Sequence, residues 1–180
     1  MAEVVARSSE PTLAAIKLAW WRERLEELDE GKVPAEPRLR AAAKELLPRG
    51  VSGADLATLG ENWWLLLQTH NQPTFMRGVA GRGPSIFALA ARLLGVPIDE
   101  HLGDAPQSFA AADLGRRRIW DLVPLKFDRW RDRVPRRLRP LTAFAVLARR
   151  DMRSGPPFEA EATPLRAWAL FWHRLTGFVP

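Results

Sequence analysis

Ile16-Lys17-Leu18-Ala19-Trp20-Trp21-Arg22-Glu23-Arg24-Leu25 is the stretch on which the fold turns. Its apolar residues recur at helical spacing. With Leu13 before and Leu28 after, Ile16, Trp20, Trp21 and Leu25 fall on one broad arc at about 100° per residue. Arg22, Glu23, Glu26, Asp29 and Glu30 fall on the opposite arc. Ser8 or Ser9 is placed to cap a helix over 11–30, and Gly31 to end it.

The same period continues outward. It predicts a helix over 36–47, stopped at Pro48-Arg49-Gly50, and another from Ser52, where Asp55 completes a variant capping box. Leu56, Leu59, Trp63, Leu66 and Leu67 share one side of that helix. Residues 71–83, rich in glycine and carrying Pro73, read as a loop. Further helices are expected over 84–94, closed by Gly95 and Pro97, and over 106–122. Residues 124–135 are ambiguous. A helix over 135–153 should be kinked or delayed at Pro140. After a linker over 154–161, Thr163-Pro164 starts a last helix, whose apolar side holds Leu165, Trp168, Trp172 and Leu175. No stretch alternates as a strand does. The expected fold is all-α, a single helical domain of about seven helices over 1–180.

Composition narrows the chemistry. With 47% hydrophobic residues, the 180-residue chain can bury a core without staples. Cysteine is absent, which excludes disulfides, thiolate metal sites and cysteine nucleophiles. His70, His101 and His173 share no local motif, so a zinc site has no support and no metal is expected. There is no tyrosine and so no phenol for catalysis. A net charge of +6 favours acidic partners. No apolar run approaches the ~20 residues of a membrane span. Residues 1–15 lack a secretory apolar region, which makes a cytoplasmic location the expectation, with peripheral contact at the inner membrane.

The Trp-Trp segment resembles the "R-L-A-W-W-R-E-x-L" stretch of the bacterial squalene/phytoene synthase family. Phe87-Ala88-Leu89-Ala90-Ala91-Arg92-Leu93-Leu94-Gly95 is similar to that family's Ala/Leu-rich helix ending in "LLG". The residues 110–118, Leu138-Arg139-Pro140-Leu141 and Leu147-Ala148-Arg149-Arg150-Asp151 resemble the C-terminal half of its short members. The resemblance implies a truncated terpenoid synthase fold with helices around a central cavity. It also implies head-to-head condensation of prenyl diphosphates, with Mg²⁺ held by two aspartate-rich motifs. Diphosphate leaves only when metal neutralises its charge, and carboxylates at i,i+4 on a helix form such a clamp.

The chain departs from that pattern at both motifs. Before the Trp-Trp helix the only acids are Glu3 and Glu10, and the short lead suggests Met1 as an internal start. Where the second motif belongs stand Asp113 and Asp121, eight residues apart. Asp128 and Asp132 are the only Asp pair at i,i+4 and the weak catalytic candidates, but Arg129, Arg131 and Arg133 interleave with them. A solvated ion-pair cluster is the favoured reading there. Lys17 and Arg24 fall inside the apolar arc, seven residues apart. With Trp20 and Trp21 they are the candidate set for an anionic ligand, with at least one head group expected toward the interior. Arg129, Arg131, Arg133, Arg136 and Arg137, interleaved with Phe127 and Trp130, are the candidate contact with an anionic surface; the alternative is a solvated face. Arg77 and Arg82, among Gly78, Gly81 and Gly83, form a weaker phosphate-loop candidate.

The expected function is a non-catalytic member of the family that binds a prenyl diphosphate or anionic lipid, or joins a protein partner in complex assembly. A mitochondrial complex I assembly factor carrying a domain of this family sets the precedent. The alternative is an active prenyl transferase with nonstandard acids, for which Mg²⁺ would be the cofactor. Nucleic acid is disfavoured as a partner.

Overall fold

A computed structural model of the chain describes residues 1–7, 10–68, 71–97, 102–119 and 133–179. Among these residues there are eight α-helices and no strand, as the periodicity predicts for the fold class. The chain divides into two compact units, Met1–Gly95 and Val96–Pro180.

The N-terminal unit contains α1 (Ala2–Arg7), α2 (Pro11–Glu26), α3 (Pro37–Glu45), α4 (Gly53–Leu66) and α5 (Gln72–Leu93). The helix read over 11–30 is α2 continued by a tighter 3₁₀ turn over Glu27–Glu30. It stops at Gly31, whose φ of 78° suits glycine and few other residues. The expected box at the start of α4 is present: Asp55 N–H donates to Ser52 Oγ and Ser52 N–H to an Asp55 oxygen, both at 2.9 Å. Asp29, at the end of the first helical run, reaches the same place. Its two oxygens accept from Gly53 N–H at 2.6 Å and Ala54 N–H at 2.9 Å. Both are first-turn donors that no helix carbonyl can hold. Beneath this joint Leu25, Leu28, Leu39, Ala42 and Ala57 form the core, with Trp21, Leu46 and Leu56 packed on it. Burying each leucine is worth about 1.5–3 kcal/mol.

The loop expected over 71–83 is not there. Those residues open α5, which runs unbroken through Pro84. Their glycines serve helix packing. A methyl group on Gly78 would stand 2.9 Å from the Asn62 carbonyl oxygen and from Leu65 Cβ, and one on Gly81 would overlap the Asn62 side chain. The absence of side chains lets α5 lie against α4, and that same absence is what resembles a loop in sequence. Asn71 caps the helix by accepting from Thr74 N–H at 3.2 Å.

The C-terminal unit contains α6 (Ala105–Arg116), α7 (Arg139–Ser154) and α8 (Pro164–Thr176). Pro140 delays α7 as expected, behind a 3₁₀ turn over Arg136–Leu138. Thr163 caps α8, its hydroxyl accepting from Arg166 N–H. Small residues bring α6 and α7 together: Ala110, Ala111, Ala112, Ala145 and Ala148 are all buried. The apolar side of α8, by contrast, faces outward. Leu165, Trp168, Phe171, Trp172 and Leu175 are exposed, Trp168 by 59%, whereas Arg166 and His173 point inward. No described helix is long and apolar enough to cross a membrane.

Candidate functional site

The residues proposed on α2 do not converge. Lys17 is exposed, Trp20 is largely exposed, and Trp21 packs on the core with its ring edge-on to Trp20, centroids 5.3 Å apart. Arg24 is half-buried, with its charge held by its own helix: it bridges Glu23 at 3.0 Å and Glu27 at 2.8 Å. A groove of about 460 Å³ does run between α2 and α4, but Leu18, Ala19 and Arg22 line it from α2, facing Gly60, Glu61, Trp64 and Leu65. None of the four proposed residues does.

The phosphate-loop reading of residues 77–83 is overturned, because those residues are helical. Arg82 is buried with its guanidinium 3.8 Å from the centroid of the Trp63 ring. Arg77 donates to Thr74 Oγ1 at 3.1 Å. Asp128, Arg129, Arg131 and Asp132 lie outside the described residues.

The strongest charge assembly is one the sequence reading passed over. Asp151 on α7 is 2% exposed. Arg116 of α6 donates to it twice, from Nε at 2.5 Å and from Nη2 at 2.7 Å, and buried Arg166 of α8 pairs with the same carboxylate. Arg116 also donates to the Glu159 carbonyl at 2.9 Å, while Arg150 and Thr163 occupy the Glu159 carboxylate. Asp151 therefore ties all three helices of the unit. One signal was available: it is the only acid between Arg133 and Phe158. Nearby, Arg149 donates to both oxygens of Asp104, at 2.6 and 2.9 Å. Among the described residues no three His, Asp or Glu side chains gather as metal ligands.

At the other end of α8 the described part of the basic run comes together with aromatic surface. Arg133, Arg136 and Arg137 are exposed. Arg133 lies over the Phe178 ring, 5.1 Å from its centroid. Arg139 Nη1 donates to the last carbonyls of α8, those of Arg174 at 2.7 Å and Leu175 at 3.0 Å. This places a cation on the negative end of the helix. Arg136, Arg139, Arg174 and Leu175 line a cleft of about 300 Å³ there.

Beneath this surface His173 is buried. Its Nδ1 lies 2.8 Å from the Phe178 carbonyl oxygen and its Nε2 2.9 Å from Thr142 Oγ1. Burial outweighs the backbone carbonyls of Phe178 and Arg139, which favour the protonated ring, and lowers its pKa below the ordinary 6.5. The unfolded chain thus binds a proton more readily than the fold does. The stability that His173 contributes is complete above about pH 6.5 and is lost as the pH falls from there toward the lower folded value. Thermal melts between pH 7 and pH 5 should show this loss, and His173→Gln should flatten it. An unchanged slope in the variant would remove His173 as the cause. Asp55, held low by the Ser52 N–H, and Glu159, held low by Arg150, act in a separate and more acidic window.

Comparison with known protein families, with curated proteins and with solved structures finds no match for the chain. The class defined by the described residues is an all-helical protein with a buried aspartate held by two arginines and an exposed aromatic helix beside a basic cluster.

Proposed function

We propose that the chain is a squalene/phytoene synthase-like helical protein that binds an anionic prenyl or lipid ligand, or supports assembly of a complex, without transferring prenyl groups. The observation that carries this reading is the commitment of four of the five described aspartates, the fifth, Asp113, accepting from Arg117 at 2.8 Å through one oxygen. Asp151 and Asp104 give both oxygens to arginines, Asp29 gives both to backbone N–H groups, and Asp55 is shared between Ser52 and Arg92. A Mg²⁺ clamp needs carboxylate oxygens turned toward a shared ion. Carboxylates neutralised by guanidinium groups would have to break charge-assisted bonds to provide them.

The test is incubation of the full chain with labelled farnesyl or geranylgeranyl diphosphate and Mg²⁺, followed by product extraction. The expected result is no squalene or phytoene above a no-enzyme control. Product that disappears in the Asp128→Ala, Asp132→Ala double variant would overturn the reading and make that pair catalytic.

A further inference from the structure

From the outward-facing side of α8 we infer that this helix seats the protein on an anionic bilayer. Leu165, Trp168, Phe171, Trp172 and Leu175 span an arc of about 120° at helical pitch, and all are exposed. Phe178 extends the same apolar surface past the helix end and is also exposed. An apolar arc of this kind normally turns inward. Here it cannot rotate in, because the opposite side is anchored: Arg166 pairs with buried Asp151, and His173 sits between Thr142 and the Phe178 carbonyl. Rolling the helix would strip a buried guanidinium of its counter-ion.

Charge selects the occupant. Exposed Arg133, Arg136, Arg137 and Arg174 lie beside this surface, so two copies meeting on it would bring like charges together. Arg133, Arg136, Arg137 and Arg174 are exposed at the C-terminal end of α8, and Arg133 lies directly over Phe178. Tryptophan, phenylalanine and leucine on one side with arginines beside them suit the boundary between acyl chains and anionic headgroups. In this arrangement Trp168 and Trp172 enter the interface while the arginines meet phosphate. The inference rests on the reading of the chain as an anionic-lipid binder only in its choice of lipid. It is independent of whether prenyl transfer occurs.

The test is co-sedimentation of the full chain with phosphatidylcholine vesicles with and without phosphatidylglycerol. Binding is expected only with the anionic lipid and should fall as salt rises. Trp168→Ser with Trp172→Ser should weaken it at least about tenfold, and Arg136→Gln with Arg137→Gln about fivefold per arginine. All four side chains are exposed, so circular dichroism and melting should stay near wild type; Phe171→Ser tests the same surface should the tryptophan variant misfold. Absence of binding to anionic vesicles would overturn the proposal. So would binding that survives the tryptophan and phenylalanine changes and is lost only with the arginines, because α8 would then not be the contact. Concentration-dependent self-association abolished by the tryptophan changes, without vesicle binding, would assign the surface to a second copy instead. Prenyl turnover with vesicle binding intact would sink the non-catalytic reading alone.

Discussion

Replacing Asp151 with alanine should destabilise the C-terminal unit by about 3–5 kcal/mol, the usual cost of leaving one partner of a buried ion pair uncompensated. Arg166 is the reason. Its side chain is 7% exposed, too little for water to take over from the lost carboxylate. Arg116, more exposed, can recover part of its hydration and still holds the Glu159 carbonyl. A rescue distinguishes charge from shape. Asp151→Leu combined with Arg166→Met should regain more than half of the loss, because an apolar pair of similar volume removes the stranded charge. Urea unfolding followed by circular dichroism measures both variants. A loss below about 1 kcal/mol for Asp151→Ala would mean that the three helices do not depend on this carboxylate.

Gly53→Ala is the second large change, and its mechanism is steric. The added methyl would overlap the backbone carbonyl oxygen of Leu25, which cannot swing aside as a side chain would. The first turn of α4 must then move away from the end of α2, which also pulls Gly53 N–H and Ala54 N–H off Asp29. Overpacking and a lost cap together should cost about 3 kcal/mol. Gly81→Ala provides the contrast. Its methyl meets the Asn62 side chain, which can rotate after giving up one 3.2 Å hydrogen bond to Ser85. That variant should lose about 1 kcal/mol. Denaturant midpoints for the pair check the ranking, and equal losses would refute the steric account.

The helices easiest to read in the sequence were those with chemically marked ends. Ser52 with Asp55, Thr163 before Pro164, Gly31, and Pro140 each leave a backbone reason for starting, stopping or delaying that requires no knowledge of neighbours. The failures share a different property, in that they depend on what lies across a contact. The glycines of 78–83 read as loop because their value lies in the approach of α4, which no local pattern records. Periodicity identified the apolar side of α8, but it cannot say whether an apolar side is turned in or out. The answer depended on Asp151 and Thr142, outside the helix itself. For α2 the arc placed Lys17 and Arg24 on one side, yet Glu23 and Glu27 decided where the Arg24 charge went. Of the basic run, the sequence supplied the residues but not the Phe178 ring beneath Arg133.

Asp29 has a kinetic meaning beyond holding two helices together. First-turn amides are ordinarily among the fastest in a helix to trade hydrogen with solvent, since no carbonyl of their own helix shields them. At Gly53 and Ala54 that freedom is withdrawn by a carboxylate 24 and 25 residues earlier in the chain. Exchange at these two positions should therefore wait on release of the Asp29 carboxylate from the end of the turn over Glu27–Glu30, and hydrogen-exchange measurements on Asp29→Ala should show both amides speeding up. A carboxylate from one helix end thus links fraying at the start of α4 to the side chain that closes the end of the first helical run.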